Sequence, residues 1–170
     1  MNIGVTIALG DKMRNTSLCY IESNGCYLMM HRVKKDIDEN RDKWIGIGGK
    51  FEEGESPEEC AAREIREETG LSFLPEELCF RGLVTFVSDE WGTEYMHLFT
   101  AAAEDSRLAA LELGREGEGI LEWVPIPDIE KLPIWEGDRI FLRLLAENAP
   151  FFSLKLEYQG DKLINHILYS

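Results

Sequence analysis

The sequence predicts one domain of mixed α/β or α+β class. Apolar stretches of strand length recur along the chain, and only a few segments show the three- and four-residue spacing of an amphipathic helix. No repeat, low-complexity tract or proline- and serine-rich linker divides the 170 residues. A chain of this length can bury roughly two-thirds of the surface that it exposes when unfolded. We therefore treat residues 1–170 as a single domain, with residues 1–12 as a candidate N-terminal extension.

The first half of the chain begins with a predicted β-hairpin. Residues 16–22 and 26–32 are apolar runs, and Ser-Asn-Gly at residues 23–25 is a strong turn sequence between them. The charged residues 33–43 predict a loop, and the short, glycine-rich segment 44–51 leads from that loop towards a helix.

That helix is predicted from Pro57 to Thr69. Ser56 is a suitable N-cap, Pro57 fits the first helical position, and Glu59 completes a Ser-x-x-Glu capping box. Gly70 fits the left-handed conformation that closes many helices. Both ends of the helix are therefore fixed by local signals.

The second half of the chain predicts mainly strands. The expected elements are strands at residues 78–88, 95–103 and 120–124, a turn at residues 89–92, a helical turn at residues 127–132, a helix at residues 139–147, and a terminal hairpin of residues 151–158 and 162–169 around residues 159–161.

The net charge of −14 restricts the partners of the protein. It argues against an extended nucleic-acid surface, because phosphate backbones are bound by clustered lysine and arginine. A protein of this charge that handles small phosphates needs a local basic pocket or bound divalent cations.

The chain lacks sequence signals for export or membrane insertion. No apolar run approaches the twenty or so residues that span a bilayer, and the apolar residues 1–10 lack a basic start. We therefore expect a cytoplasmic protein. No Cys-x-x-Cys pair is present, which favours buried or half-buried thiols over disulfides or zinc ligands at Cys19, Cys26, Cys60 and Cys79.

The predicted helix carries a cluster of acidic residues. Residues three and four apart share a helix face, so Glu64, Glu67 and Glu68 project together. Such a cluster suits Mg²⁺, which takes carboxylate ligands together with phosphate oxygens and water. The alternative is a solvated acidic face balanced by Arg63 and Arg66. An adjoining apolar stripe would face the core and consists of Ala61, Ala62, Ile65 and Thr69.

The segment around this helix resembles a known motif. Gly49, then Glu55 after five residues, then Arg-Glu-Ile-Arg-Glu-Glu-Thr-Gly-Leu at residues 63–71 after seven more, fill every fixed position of the Nudix box. The resemblance to the Nudix family implies an α/β/α sandwich around a mixed β-sheet. It also implies substrates in which a nucleoside diphosphate is linked to another group.

The resemblance further implies a metal site. Glu64, Glu67 and Glu68 would hold Mg²⁺, with Mn²⁺ as the alternative cation. The backbone carbonyl of Gly48 or Gly49 would be a further ligand. The cations would neutralise phosphate charge and lower the pKa of a bound water that attacks phosphorus.

Other positions of the motif are implied to be structural or to move a proton. Arg63 would orient the carboxylates through Glu55. Glu64 and the distant Glu118 are both candidates for the base, and Glu118 is also a candidate metal ligand. The structural positions of the motif are Gly49, Glu55, Arg63 and Gly70.

Outside the box, the chain resembles the MutT-type nucleoside triphosphate diphosphatases, which include enzymes that remove oxidised purine nucleotides such as 8-oxo-dGTP. Trp-Ile-Gly-Ile-Gly-Gly-Lys at residues 44–50 resembles their lead-in to the box. Glu118 precedes Trp123 by five residues, as their distal glutamate does. The resemblance therefore extends over most of the chain.

Four candidate substrate contacts follow from this second resemblance. Trp135 matches a tryptophan near the base, Asp138 an acidic residue that binds the base edge, and Arg32 a basic residue that contacts phosphate. The alternatives are a core aromatic for Trp135, a helix cap for Asp138, a surface arginine for Arg32 and a solvated loop residue for Glu118. The candidate substrate contacts are Arg32, Ile45, Trp135 and Asp138.

Two positions depart from the animal enzymes of this group. Those enzymes carry Asn at the position of Ile45, where it helps to read the purine, and a second acidic residue at the position of Gly137. An aliphatic side chain can pack on a base but cannot distinguish its oxidised edge by hydrogen bonds.

The sequence therefore predicts a Mg²⁺-dependent hydrolase of purine (deoxy)nucleoside triphosphates, oxidised ones included. The products would be the monophosphate and pyrophosphate, and the consequence would be sanitation of the nucleotide pool. The alternatives are a Nudix hydrolase of ADP-ribose or a dinucleoside polyphosphate, and a non-catalytic nucleotide sensor. Small-molecule nucleotides are the expected partners, and the oligomeric state is left open.

Overall fold

A computed structural model of the protein describes residues 13–33, 38–113 and 119–169. Strands dominate this part of the chain, and most of them lie where the sequence predicts them. The strands are β1 (Met13–Ser23), β2 (Cys26–Arg32), β3 (Trp44–Ile45), β4 (Ile47–Lys50), β5 (Cys79–Ser88), β6 (Gly92–Ala102), β7 (Gly119–Pro125), β8 (Phe152–Gln159) and β9 (Lys162–Tyr169).

The strands form one mixed sheet in the order β3-β2-β1-β6-β5-β8-β9, with β4 against β1 and β7 against β2. β1 runs parallel to β6 and β5 runs parallel to β8, while the other pairs are antiparallel. The predicted β1–β2 hairpin is confirmed, with Glu22 opposite Tyr27 and positive φ angles at Asn24 and Gly25.

In the described residues three α-helices accompany the sheet: α1 (Pro57–Thr69), α2 (Asp105–Leu108) and α3 (Asp138–Ala146). Helix α1 has the predicted bounds. The Ser56 hydroxyl accepts the Glu59 backbone N–H at 3.1 Å, and the Glu59 carboxylate accepts the Ser56 N–H at 3.2 Å. Gly70 closes the helix at φ 80°. Two 3₁₀ helices span Pro75–Glu77 and Ile126–Lys131.

Side chains on the two faces of the sheet build two separate cores. In β1, Tyr20 belongs to one core, whereas its neighbours Cys19 and Ile21 belong to the other. Helix α1 covers the second core with Ile65, and α3 covers the first with Phe141. The expected α/β/α sandwich around a mixed sheet is therefore confirmed.

Some details differ from the predictions. The short helix α2 was not predicted, because four residues are too few to establish a helical pattern. Asp138 is the first residue of α3 and makes no side-chain cap, so the capping alternative is wrong. Cys19 and Cys60 are buried and Cys26 is half-buried, but Cys79 is exposed. None of the described helices has the length and apolar character to cross a membrane.

Candidate active site

A cavity of about 630 Å³ lies beside the glutamate helix. Two groups of residues line it, and β1 separates them. Ser17 faces α1, since its hydroxyl lies 3.2 Å from the Cys60 sulfur. Thr16, one residue earlier, points to the other face and donates to Glu94 at 2.8 Å. The cavity is large enough for a nucleotide-sized ligand and reaches both faces of the sheet at this strand.

Arg63 is the centre of the first group. Its Nε and Nη2 lie 2.7 and 2.9 Å from the two carboxylate oxygens of Glu55, which is a two-point ion pair. Nη1 donates to Glu64 at 2.8 Å and to Glu67 at 3.1 Å, and Nη2 also donates to the Lys50 carbonyl at 3.0 Å. Only 14% of the Arg63 side chain is exposed. The guanidinium therefore holds three acidic side chains and the end of β4 in one arrangement.

The carboxylates of α1 are crowded. Burial raises the pKa of Glu64, the adjacent Arg63 opposes the shift, and the charge of Glu67 adds to it. Glu68 is a neighbour of Glu64 in this cluster, and its Oε2 is inaccessible to solvent. Crowded carboxyl groups are stabilised by a shared proton or by a cation between them.

Two glycines bring the backbone next to these carboxylates. A Cβ at Gly49 would lie 2.5 Å from Oε1 of Glu64, and a Cβ at Gly48 would lie 1.9 Å from the Ser17 carbonyl oxygen of β1. The Gly49 carbonyl accepts a weak hydrogen bond from the Cys60 thiol at 3.5 Å. Absence of a side chain thus lets β4 approach both β1 and the Glu64 carboxylate.

The donor set fits a hard divalent cation, although it is not gathered around one point. Within residues 13–33, 38–113 and 119–169, no three acidic, histidine or cysteine side chains converge at ligand distance. The physical reason is that Arg63 neutralises Glu64 and Glu67. Convergence of three carboxylates without a cation would be repulsive. A Mg²⁺ ion would be held by carboxylate oxygens of these glutamates, while Glu55 would keep Arg63 in place beside them.

The four predicted substrate contacts all line the cavity: Arg32, Ile45, Trp135 and Asp138. Arg32 is held by Asp38, with Nε 2.9 Å from the carboxylate, so it is not a free surface arginine. Ile45 is half-buried in the short strand β3. The structure therefore brings these four residues together at one cavity.

Trp135 is both a core aromatic and a wall of the cavity. It is 4% exposed and packs edge-to-face against Phe86 and Tyr158. Its indole N–H donates to Asn40 at 2.9 Å, and the Lys43 ammonium lies 4.2 Å from the ring centroid. The two interpretations from the sequence are therefore compatible.

Asp138 places a buried carboxyl group in the cavity. The residue is 5% exposed, and no described side chain or N–H group donates a hydrogen bond to its carboxyl group. Burial raises the pKa of Asp138 to about 8, and the charge of Glu94 adds to the shift, while Arg139 and Lys43 oppose it. At neutral pH this group can therefore donate a proton in a hydrogen bond as well as accept one.

A charged cluster that the sequence reasoning missed completes the wall. Arg14 in β1 lies opposite Glu94 in the parallel strand β6, with Nη2 3.1 Å from the Glu94 carboxylate and 2.9 Å from that of Glu39. Burial and then the charge of Glu94 raise the pKa of Glu39 to about 7. The sequence signal for this cluster was strand alternation, which places Arg14 and Thr16 on the same face of β1. Glu118 lies outside the described residues.

Comparison with known proteins assigns the family. The NUDIX domain model matches residues 12–145. The chain belongs to the Nudix family. Nudix hydrolases act on small nucleotide substrates and generally use divalent metal ions, typically Mg²⁺. The family thus accounts for the acidic helix beside a nucleotide-sized cavity.

Individual Nudix proteins resemble this chain over most of its length. An uncharacterized Nudix hydrolase of Bacillus subtilis is 30% identical over 129 residues, covering 74% of this chain and 75% of the relative. The oxidized purine nucleoside triphosphate hydrolase of Danio rerio is 30% identical over 132 residues, covering 74% and 77%. The crystal structure of a MutT protein from Bacillus halodurans superimposes with a TM-score of 0.75 at 22% identity, covering 91% of this chain and 97% of that one, which shows the shared fold.

Proposed function

We propose that this Nudix protein hydrolyses purine (deoxy)nucleoside triphosphates, including oxidised ones, to the monophosphate and pyrophosphate. The observation that carries the proposal is the Arg63-centred carboxylate cluster in the wall of a cavity of about 630 Å³. A polyphosphate beside α1 and a base beside Trp135 would occupy both groups of lining residues. The consequence for the cell would be removal of damaged nucleotides from the pool.

The residues of α1 would divide the catalytic work. Glu64, Glu67 and Glu68 would hold Mg²⁺, with the carbonyl of Gly48 or Gly49 as a further ligand. When bound, the cation would supply charge neutralisation and an activated water. Arg63 would position the glutamates, because Glu55 fixes its guanidinium at two points. Removal of the water proton is proposed for Glu64 or Glu118.

The other group of residues would bind the rest of the nucleotide. Ile45 would pack on the base, Trp135 would form an aromatic wall, and Asp138 would hydrogen-bond the edge of the base. A carboxyl group with a pKa near neutrality can bind an edge that offers either an N–H donor or an acceptor. Arg32 would contact phosphate. Purine and pyrimidine edges both offer such groups, so the proposed preference for purines is supported by the Danio rerio relative.

The Danio rerio relative supports oxidised purines as substrates, at 30% identity. The aliphatic Ile45 supports a weaker discrimination between oxidised and unmodified bases, because it offers no hydrogen bond. The alternative substrates are ADP-ribose and dinucleoside polyphosphates, which require the same metal chemistry. A non-catalytic nucleotide sensor is the second alternative, and the complete acidic motif argues against it.

A substrate panel with phosphate-product analysis tests the proposal. We expect Mg²⁺-dependent release of pyrophosphate from dGTP and 8-oxo-dGTP, with less turnover of ADP-ribose. Glu67→Gln and Glu68→Gln should lower kcat/KM by two or more orders of magnitude, about the loss expected for removal of a catalytic metal ligand. Glu58→Gln, in the first turn of the same helix, is the matched control. Parent-like turnover in the Glu67 and Glu68 variants would contradict the metal role.

A further inference from the structure

We propose that Asn40 is a specificity residue, whose side-chain amide donates a hydrogen bond to a carbonyl oxygen of the substrate base. Asn40 lies in the chain between β2 and β3, and it lines the cavity together with Trp135 and Asp138. The inference rests on the proposed function, which places a base beside Trp135. It adds the class of base that this site accepts, which is a base with a carbonyl group.

The contact with Trp135 determines which end of the Asn40 amide is available. The indole N–H of Trp135 is a donor and cannot accept, and it lies 2.9 Å from Oδ1 of Asn40. Oδ1 is therefore the acceptor in this bond, and Nδ2 keeps two N–H donors. Nδ2 makes no hydrogen bond within the described residues, and it is accessible to solvent. Two unused donors consequently lie next to the aromatic wall of the cavity.

The backbone of Asn40 is held in place without a ligand. Its N–H donates to one carboxylate oxygen of Asp38 at 3.0 Å, and the other oxygen of Asp38 accepts from Nε of Arg32 at 2.9 Å. The Asn40 carbonyl accepts the Lys43 N–H at 2.9 Å. Together with the Trp135 contact, these bonds fix both the backbone and the side chain. A donor that is already fixed loses little conformational freedom on binding, so its hydrogen bond contributes to selectivity.

The charges in this part of the wall favour a neutral partner for Asn40. Glu39 and Glu94 share the single guanidinium of Arg14, at 2.9 and 3.1 Å, so acidic groups outnumber basic ones here. A phosphate group would be repelled by them, whereas an uncharged base would not. Arg14 and Thr16 direct donors to these glutamates, while Nδ2 of Asn40 is unused. Asn40 is therefore suited to bind a neutral acceptor.

The position of Asp138 favours a carbonyl oxygen over a ring nitrogen as that acceptor. Trp135 connects the two polar residues, because its indole donates to Asn40 and its carbonyl accepts the Asp138 N–H at 3.0 Å. Burial raises the pKa of Asp138 to about 8, so at neutral pH its carboxyl group is also a donor. A carbonyl oxygen has two lone pairs and can accept from both residues, whereas a ring nitrogen has one. An amino group at the same place would set donors against donors.

Titration calorimetry with three nucleoside monophosphates tests the inference. These ligands carry the base but no diphosphate linkage, so their binding is measured without hydrolysis. The base of dIMP has a carbonyl group at C6, that of 8-oxo-dAMP has one at C8, and that of dAMP has none. We expect the wild-type protein to bind dIMP or 8-oxo-dAMP at least about fivefold more tightly than dAMP, as one additional hydrogen bond predicts. The ligand that is preferred identifies which carbonyl group reaches Asn40.

Two variants of Asn40 should abolish this preference. Asn40→Asp keeps an oxygen acceptor for the Trp135 indole but removes both donors, and Asn40→Leu removes them without adding a charge. In both, the ratio of Kd for dAMP to Kd for the preferred ligand should fall to about one. The matched control is Asn148→Asp. Asn148 is exposed, and its Oδ1 accepts from Arg81 at 3.2 Å outside the cavity, so this variant should keep the wild-type ratio.

Circular dichroism establishes that each variant is folded. A wild-type protein without a preference for a carbonyl-bearing base, or Asn40 variants that keep the preference, would overturn the inference. An equal loss in Asn148→Asp, or weaker binding of all three ligands with an unchanged ratio, would also overturn it. Failure of the proposed function is a separate result. In that case the corresponding triphosphates would release no pyrophosphate, while the preference among the monophosphates would still depend on Asn40.

Discussion

Arg63 and Glu55 form a two-point ion pair in which both partners are 14% exposed. Glu55 lies before the helix and Arg63 within it, eight residues later, so the pair joins the loop to the middle of α1. The remaining donors of Arg63 reach Glu64, Glu67 and the Lys50 carbonyl. The geometry of the carboxylate cluster therefore depends on the planar shape of one guanidinium.

Arg63→Lys tests that dependence. Lysine keeps the charge but cannot donate two parallel hydrogen bonds to Glu55, so Glu64 and Glu67 lose their common anchor. We expect kcat/KM to fall by about ten- to a hundredfold and the Mg²⁺ concentration for half-maximal activity to rise. Arg66→Lys, at an exposed position of the same helix, is the control and should behave like the parent. Equal activity of the two variants would show that charge alone suffices at Arg63.

Gly49→Ala should lose activity but keep its stability, whereas Gly48→Ala should lose stability. At Gly49 the new methyl group meets the end of the flexible Glu64 side chain, which can turn away without disturbing the fold. We expect the free energy of unfolding to change by less than about 1 kcal/mol, with a large loss of activity. At Gly48 it meets the Ser17 carbonyl, so β1 and β4 must separate, at a cost of about 2 kcal/mol or more.

Urea unfolding and kcat/KM, measured on both glycine variants, separate these effects. A stable, active Gly49→Ala protein would contradict the close approach of β4 to the Glu64 carboxylate.

Asp138→Asn should remove a pH dependence of stability. The folded-state pKa of about 8 lies above the ordinary value of 3.8, so between these values the folded protein holds a proton that the unfolded chain has lost. Stability therefore falls as pH rises through this window, by up to about 1.4 kcal/mol per pH unit. Asn is neutral throughout, and the variant should gain stability relative to the parent between pH 5 and pH 8.

Denaturant unfolding at several pH values measures this difference. Asp105→Asn, at an exposed position in α2, should show no such trend relative to the parent. A constant offset between Asp138→Asn and the parent at every pH would mean that Asp138 ionises alike in both states.

Ile45→Asn should improve discrimination between oxidised and unmodified purines. The half-buried Ile45 lines the cavity but offers no hydrogen bond, whereas Asn offers both a donor and an acceptor. One hydrogen bond of about 1 kcal/mol predicts a roughly fivefold rise in the ratio of kcat/KM for 8-oxo-dGTP over dGTP. Ile45→Val, which keeps an aliphatic side chain, should leave that ratio unchanged. No change in the Asn variant would place the base away from β3.

Local signals account for the parts of the fold that the sequence predicted best. The capping box at Ser56 and the left-handed Gly70 lie within a turn of the helix ends, so α1 could be placed to the residue. The parallel pairing of β1 with β6 joins residues about eighty positions apart and leaves no local trace. Arg14 and Glu94 become partners only through that pairing. This explains why the motif residues were found and the Arg14–Glu94 pair was not.

The alternation of side chains along β1 has a consequence for how the protein can evolve. Thr16 and Ser17 both line the cavity, but Thr16 donates to Glu94 on one face of the sheet, whereas the Ser17 hydroxyl contacts Cys60 of α1 on the other. Insertion or deletion of a single residue near Thr16 would move the side chains on one side of that point to the opposite face of the sheet. Insertions and deletions in related sequences should therefore occur at the Asn24–Gly25 turn and be rare near Thr16 and Ser17 in β1, whatever nucleotide the relative binds.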